Sequence, residues 1–248
     1  MMPYIQISIR TKLDTFNWQF GRELIRSLCE GEGPICPEQI SNNPDRFIEP
    51  FVSIEECEAY WAAKGSMRVN GSLIDFHDDF AWRRKKKIKC VGSIQHKTQN
   101  IKGNLVPGSV NFSSACNDKI NWFSLFRLWC EIFSPQLGML HKFDGVELDP
   151  KSKNNSFQVG SFKAALKPEV SNIGWAMFYG DEFAEVVEAD RIKAAGFPIE
   201  KIGSGYLVRV TENIQDVVND FPLFSRRRAE LKALFREGFF LIQDEPLI

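Results

Sequence analysis

The chain begins with an alternation of apolar and polar residues that predicts a β-strand. Ile5, Ile7 and Ile9 are separated from one another by single polar residues. Successive side chains of a strand point to opposite faces. We therefore expect a strand with one buried face at the start of the fold.

A four-residue apolar repeat follows and predicts an amphipathic helix. Phe16, Phe20, Leu24 and Leu28 fall on one side of a helical projection. Asp14 precedes them and is the candidate N-cap, because its carboxylate can accept from the first free backbone N–H groups.

Residues 31–50 predict an irregular connection, since four prolines interrupt them. Ser53 and Glu56 then have the spacing of a capping box. In this motif each side chain accepts a hydrogen bond from the backbone N–H of the other residue. A short second helix is predicted from this point.

Strands and then a strongly apolar helix are predicted between residues 67 and 133. The turn sequence Asn70-Gly71 and the short alternating segments around it favour antiparallel pairing. Asp118 is the candidate cap of the apolar helix, which we expect at the centre of the protein. Its apolar residues are Trp122, Phe123, Leu125, Phe126, Trp129, Ile132 and Phe133.

The order of these elements predicts the fold class. Strands joined by short turns, with helices between them but no regular βαβ alternation, favour an α+β architecture with a mostly antiparallel sheet and packed helices. We expect a single domain over residues 1–248. Residues 144–160, rich in Asp, Lys, Asn, Ser and Gly, are the candidate long loop or sub-domain boundary.

The last third of the chain has an order of parts that is similar to that of a known family. A short apolar strand is predicted at 173–179, a second strand at 206–210, and helical spacing follows. The residues concerned are Gly174-Trp175, Gly203-Ser204-Gly205, Thr211-Glu212, Leu231, Leu234, Phe235 and Gly238-Phe239-Phe240. In this order the segment resembles the immunity protein 52 family, the bacterial antidotes encoded beside polymorphic nuclease toxins.

The resemblance implies a function by binding. A protein of this kind associates with a cognate nuclease toxin and neutralises it without catalysis of its own, by blocking substrate access or an assembly surface. The implied toxin is restriction-endonuclease-like and delivered by a type VI or related secretion apparatus. The resemblance locates no contact residues.

Charge and composition narrow the classes of function. The 248 residues carry a net charge of −1, with a pI near 6.3, which disfavours bulk binding to nucleic acid or to an anionic membrane. The six cysteines contain no C-x-x-C pair and no regular spacing, and they predict buried, reduced thiols. Without a recognisable export signal or bilayer-spanning stretch, we expect a cytoplasmic protein.

The sequence contains no coherent catalytic or metal-binding pattern. Its three histidines, His77, His96 and His141, have no zinc-site spacing, and we expect neither metal nor cofactor. In His77-Asp78-Asp79 an imidazole precedes two carboxylates, but adjacent residues on extended backbone face opposite ways, which favours a solvated turn. We therefore expect a protein that is not an enzyme.

A basic run supports an alternative function. Residues 83–89 contain six Lys or Arg side chains and follow two aromatic residues, a combination that nucleic-acid-binding proteins use. Together with Asp75, Asp78 and Asp79, the run would suit a small nucleic-acid-binding or nucleic-acid-processing protein. The other interpretation of the run is a protected sheet edge or a solvated loop.

An acidic stripe is the candidate toxin-binding surface. Residues 181–190 contain no basic side chain, and as a helix they would turn Phe183, Val186 and Val187 inward. The acidic residues are Asp181, Glu182, Glu185, Glu188 and Asp190. The three glutamates would share one face, and carboxylates can occupy the positions of nucleic-acid phosphates on a nuclease and steer its association. A solvated helix face is the competing interpretation.

Overall fold

The computed structural model of the protein describes residues 2–30, 35–69, 72–100, 103–145, 170 and 172–242. The chain divides into two compact units: unit 1 comprises Met1–Ile9 and Ser134–Ile248, and unit 2 comprises Arg10–Phe133. Most of the segment 144–160 lies outside the described residues. The loop or boundary predicted there, and the single-domain organisation, stay predictions.

Unit 2 is built on an antiparallel sheet. The described strands of unit 2 are β2 (Gln39–Ser41), β3 (Glu49–Pro50), β4 (Lys64–Val69), β5 (Ser72–His77), β6 (Phe80–Arg84), β7 (Cys90–Gln95), β8 (Thr98–Gln99), β9 (Leu105–Val106) and β10 (Gly108–Ala115). The order in the sheet is β10, β7, β6, β2, β3, and these neighbours pair antiparallel. Strands β4 and β5 form a separate antiparallel pair, as do β8 and β9.

The described helices of unit 2 are α1 (Trp18–Cys29), a first 3₁₀ helix (Glu55–Tyr60) and α2 (Trp122–Phe133). Asn17 caps α1, because its side chain accepts from the backbone N–H of Gln19 at 2.8 Å. The prediction of Asp14 as the cap is wrong. The Asp14 carboxylate instead accepts from the backbone of Phe16 at 3.2 Å and pairs with Lys97 at 3.3 Å.

The cap of α2 is also shifted along the chain. Asn121, immediately before the helix, accepts from the backbone N–H of Ser124 at 3.0 Å. The prediction of Asp118 as the cap is therefore wrong, although the predicted helix itself is confirmed. An asparagine cap serves as well as an aspartate, since both offer a short side-chain oxygen.

The core of unit 2 is aromatic. Trp129 of α2 is fully buried, and its ring stands edge-on to Phe112 at 5.5 Å and to Trp82 at 6.5 Å between centroids. Its indole Nε1 donates to Ser27 Oγ of α1 at 2.8 Å. One side chain of α2 therefore contacts two strands and the other long helix of unit 2.

Gly92 makes room for this cluster. It lies directly opposite Trp82 in the antiparallel pairing of β7 with β6. A Cβ atom at this position would come within 2.2 Å of the Trp82 ring. Only glycine permits so close an approach of an indole to the strand.

The exposure predicted for the first strand is wrong. Strand β1 (Tyr4–Thr11) forms as expected, but Gln6, Ser8 and Arg10 are buried as well as the isoleucines on the other face. The Gln6 amide donates to Ser8 Oγ at 3.2 Å. Polar side chains can be buried on this face because they have hydrogen-bond partners there.

The prediction of an irregular connection over residues 31–50 is wrong in part, because β2 and β3 lie within it. Strand β2 pairs with β6, with Ile40 opposite Trp82. No proline interrupts β2, and Pro50 is the last residue of β3. The prolines therefore separate short strands instead of preventing them.

A disulfide joins Cys29 and Cys36, so the prediction of reduced thiols is wrong for this pair. The bond links the last residue of α1 to the segment that leads into β2. Cys57, Cys90 and Cys130 are buried and lie outside the disulfide, as predicted for buried thiols. Burial raises the pKa of the Cys57 thiol to about 12, which leaves it unreactive at neutral pH.

Unit 1 has a second set of antiparallel strands. They are β11 (Leu137–Phe143), β12 (Ala176–Tyr179), β13 (Ile199–Ile202) and β14 (Gly205–Arg209). The order is β13, β14, β12, β11, β1, and the pairing from β13 to β11 is antiparallel. The strands predicted at 173–179 and 206–210 are confirmed as β12 and β14.

The described helices of unit 1 are a second 3₁₀ helix (Asp181–Val186), α3 (Ala189–Ala194), α4 (Asp216–Asn219) and α5 (Phe221–Lys232). Antiparallel strands with helices occur in both units, so the predicted α+β class is confirmed. Among the helices of the described residues, none has the length and apolar character needed to cross a membrane.

The aromatic strand β12 and the residue before it belong to the core of unit 1. The backbone N–H of Trp175 donates to His141 Nδ1 at 3.0 Å, and its indole Nε1 donates to Thr211 Oγ1 at 3.0 Å. Phe178 and Tyr179 are almost fully buried. Trp175, Phe178 and Tyr179 are therefore core residues and are not available to a partner.

We expect Trp129→Ala to lower the free energy of unfolding by about 3–5 kcal/mol, because it leaves a cavity between α2 and the sheet. Leu128→Ala is the matched control on the same helix. Its side chain is 39% exposed, and its loss should cost less than about 1 kcal/mol. Urea denaturation of both variants measures the difference, and equal effects would contradict the buried position of Trp129.

We expect reduction of the Cys29–Cys36 disulfide, or a Cys36→Ser substitution, to lower the free energy of unfolding by about 2–3 kcal/mol, because the unfolded chain gains freedom. Cys116→Ser changes a cysteine outside the disulfide and is the control. Reduction should destabilise this variant as much as it destabilises the wild type. Thermal unfolding with and without dithiothreitol measures it. Identical stability in both conditions would show that the bond does not form in solution.

Candidate functional site: an acidic segment of unit 1

The acidic stripe of the sequence, residues 181–190, is not one continuous helix. The second 3₁₀ helix covers its first part, and Glu188 is the N-cap of α3. Side chains three residues apart eclipse in a 3₁₀ helix, which aligns Glu182 with Glu185. The segment thus presents Glu182 and Glu185 on the 3₁₀ helix and Glu188 at the cap position before α3.

Apolar side chains attach the acidic segment to unit 1. Phe183 and Val187 are buried, as predicted, and Val186 is half-buried. The segment begins at Gly180, where a Cβ atom would lie 2.0 Å from the Pro135 carbonyl oxygen. This close backbone approach requires glycine at the residue before the 3₁₀ helix.

Glu182 differs from the other predicted site residues. It is half-buried and accepts a hydrogen bond from Gln136 Nε2, and Gln136 is itself buried. The bond connects the 3₁₀ helix to the residue that precedes β11. Part of the role of this carboxylate is therefore structural, and sequence reasoning had no local signal for a partner so far away in the chain.

The remaining acidic residues, Asp181, Glu185, Glu188 and Asp190, are exposed. Glu188 Oε2 lies 3.6 Å from Nη1 of Arg191 in α3. An exposed ion pair of this kind contributes roughly 0–1 kcal/mol, so a stronger cationic partner can replace it. Arg191 was not predicted as a partner of Glu188, although a spacing of three residues is typical of such an ion pair.

The arrangement suits electrostatic binding of a basic surface. Exposed carboxylates on one short segment create a negative local field, which attracts cationic groups and raises association rates. Glu185 and Asp190 need no rearrangement to reach a partner, since both already face solvent. The segment therefore presents exposed negative charge that a basic partner surface can complement.

The basic run, residues 83–89, comprises the last two residues of β6 and the connection from β6 to β7, and it is not at a sheet edge. Strand β6 lies between β7 and β2, so the edge interpretation is wrong, while residues 85–87 are exposed as a solvated loop. Arg83 Nε donates to Gln39 Oε1 at 2.8 Å, and Arg84 Nη1 donates to a backbone carbonyl before β2 at 2.9 Å. Both arginines thus stabilise the fold.

His77, Asp78 and Asp79 lie at the turn between β5 and β6, as the sequence predicts. The Nδ1–H group of His77 donates to the Ala62 carbonyl at 2.8 Å. The Asp79 carboxylate accepts from Gln95 Nε2 at 3.1 Å. These bonds hold the His77 ring and the Asp79 carboxylate against other parts of unit 2.

Asp75, another acid of the alternative function, also has a local partner. Asp75 accepts from Ser66 Oγ at 2.6 Å across the β4 and β5 pair. Within the part of the chain that the structure describes, no group of three or more His, Cys, Asp or Glu side chains could hold a metal ion.

Comparison with known proteins gives a similarity of fold. No protein-family model matches the chain, and no curated protein matches it. Among solved structures, a type VI secretion system (T6SS) protein of Pseudomonas aeruginosa is similar, with a TM-score of 0.55 and 11% sequence identity over 84% of this chain and 68% of that chain. At this identity the similarity shows a shared fold.

Proposed function

We propose that this chain is the immunity protein of a type VI secreted nuclease toxin. It binds the cognate toxin directly and neutralises it, with no catalysis of its own. The proposed partner is a restriction-endonuclease-like protein, and neither a membrane nor nucleic acid is a partner in this proposal. Its role would be to protect a bacterium that competes with its neighbours by means of such toxins.

The fold similarity to a T6SS protein is the observation that carries this proposal. It connects the chain to the same type of secretion system that the sequence resemblance implies. The resemblance of residues 173–240 to the immunity protein 52 family falls within unit 1, the unit that also carries the acidic segment. Both similarities therefore favour an association with type VI secretion, and the immunity role rests on the sequence resemblance.

The acidic segment supports binding to a nuclease in particular. A nuclease must hold phosphate groups with cationic side chains, and exposed carboxylates can occupy those positions. The proposed contact residues are Asp181, Glu182, Glu185, Glu188 and Asp190. Of these, Glu182 is half-buried and hydrogen-bonded to Gln136. Glu185 and Asp190 are exposed and can contact a partner directly.

The alternative, a nucleic-acid-binding protein that uses residues 83–89, has weaker support. Arg83 and Arg84 donate hydrogen bonds within unit 2, which leaves the exposed lysines of the turn. The net charge of −1 gives no overall attraction to phosphates.

We include a cytoplasmic location in the proposal, because the nucleic acid that a nuclease attacks lies there. The Cys29–Cys36 disulfide is the observation that opposes it, since disulfides persist in oxidising compartments and are rare in the cytosol. Fractionation of cells that produce the protein, with thiol labelling of each fraction, decides between the two.

The function is tested with the product of the gene next to the one that encodes this chain. We expect expression of that product alone to kill cells, co-expression with this chain to restore growth, and the two proteins to co-purify. Purified alone, the chain should leave DNA and RNA intact in the presence of Mg²⁺. Cleavage that an Asp78→Asn, Asp79→Asn double variant abolishes would contradict the proposal.

The acidic interface is tested by reversing charge at Glu185, Glu188 and Asp190 to lysine, with Glu182 unchanged because of its bond to Gln136. We expect at least about tenfold weaker toxin binding at low salt, mainly through slower association, and a smaller difference at high salt. The fold should persist, since exposed charges contribute little to stability.

The matched control reverses Glu55, Glu56 and Glu58 to lysine. These residues are also exposed, lie on the other described 3₁₀ helix and change the net charge by the same amount. Calorimetric titration of both variants against the toxin separates a local effect from a global one. Equal weakening by both variants would exclude the acidic segment as the interface.

A further inference from the structure

A buried histidine of unit 2 is enclosed by aromatic and polar residues. His96 lies between β7 and β8 and is 7% exposed. Its Nδ1 is 2.9 Å from Thr15 Oγ1, the Trp61 ring stands edge-on to it at 5.1 Å, and the Phe16 ring is tilted at 5.4 Å. Its Nε2 is buried without a hydrogen-bond partner among the described residues. We call His96, Thr15, Phe16 and Trp61 the histidine box.

The histidine box connects separate parts of unit 2. Trp61, directly after the first 3₁₀ helix, donates from Nε1 to the Thr15 carbonyl at 2.9 Å. Helix α1 packs closely on the same indole, since a Cβ atom at Gly21 would lie 2.6 Å from the Trp61 ring. A displacement of His96 or Thr15 is therefore transmitted to α1 through Trp61.

Backbone strain lies next to the histidine box. Ala62 has a φ of 49°, in the left-handed region that residues with a Cβ atom disfavour. Its carbonyl accepts from the Nδ1–H group of His77 at 2.8 Å, and the His77 ring stacks on Phe16 at 4.1 Å. The strained residue is thus linked through His77 to Phe16 of the histidine box.

Protonation of His96 is incompatible with this packing. A neutral imidazole has one N–H donor, whereas an imidazolium has two. Thr15 Oγ1 can accept from Nδ1, but Nε2 would then carry a buried N–H and a share of the positive charge without an acceptor. Burial of an unpaired charge is strongly unfavourable, so acid favours a state in which the imidazole reaches water.

We propose that the histidine box is an acid-sensitive conformational switch of unit 2. Protonation of His96 moves its imidazole out of the box, breaks the contact with Thr15, and loosens Trp61 and the strained Ala62 turn from α1. The change is reversible, because deprotonation restores a group that fits the closed box.

The charges around His96 determine the pH range of the switch. Burial and then the positive charge of His77 lower the pKa of His96 to about 4, against the opposing effect of Asp14. Asp14 is itself paired with Lys97 at 3.3 Å. The pKa of a solvated imidazole is 6.5, so between pH 4 and pH 6.5 the open state binds more protons than the closed state. The closed box is therefore most stable above pH 6.5 and loses stability as the pH falls towards 4.

An NMR titration of the intact chain from pH 8 to pH 4 tests the proposal. The sequence has three histidines, so the imidazole signals can be assigned with His77→Asn and His96→Asn variants. We expect a His96 midpoint well below 6.5 and a change of the Trp61 indole N–H resonance with the same midpoint. The ratio of open to closed states should rise about tenfold for each unit of pH within the window.

Two variants test whether the pH-dependent change at Trp61 depends on His96 or on His77. His96→Asn retains a group that can bond to Thr15 but cannot be protonated, so the change at Trp61 should disappear. His77→Asn removes the other histidine that contacts Phe16, so the change should persist with a higher midpoint, because an opposing positive charge is gone.

Either of two results would overturn the proposal. One is a His96 signal that titrates near pH 6.5 in the folded protein without any change at Trp61. The other is a change at Trp61 that survives in His96→Asn. If His96→Asn does not fold, the wild-type titration tests the proposal by itself. Different midpoints for the His96 and Trp61 signals would then contradict it.

Discussion

The close approach of Trp82 to Gly92 is the constraint on which unit 2 depends. Because Gly92 has no side chain, the Trp82 indole lies directly against β7. The same indole also packs against Phe112 and Trp129. Trp129 then positions α2 against the sheet and, through Ser27, against α1. A substitution at Gly92 would therefore displace a whole set of aromatic contacts, each of which stabilises the core beyond its buried area.

Local periodicity made much of the fold predictable. The alternating isoleucines of β1 and the apolar residues of α2 each lie within one element, so their spacing is visible in the sequence. Features that depend on distant residues were not predictable. Strand β2 exists because β6 pairs with it, and Asp14 does not cap α1 because Phe16 and Lys97 already engage its carboxylate. The Cys29–Cys36 bond requires a geometry that their spacing does not reveal.

The candidate site was predictable to the extent that its residues are neighbours in the chain. Its acidic residues and the inward direction of Phe183 and Val187 follow from spacing. The bond of Glu182 to Gln136 spans 46 positions, which no local pattern can indicate. The same limit applies to the histidine box, since Thr15 and His96 are 81 positions apart. In the sequence His96 is only a lone histidine.

Strand β3 influences how copies of the protein meet one another. It ends the sheet of unit 2 with only Glu49 and Pro50, while Ile48 and Val52 on either side are exposed apolar residues. An apolar sheet edge invites strands from other molecules to add to it, which leads to aggregation. Pro50 lacks the N–H group that such addition needs, and Glu49 adds a charge that repels a second identical edge. This end of the sheet therefore resists polymerisation although its flanks are apolar.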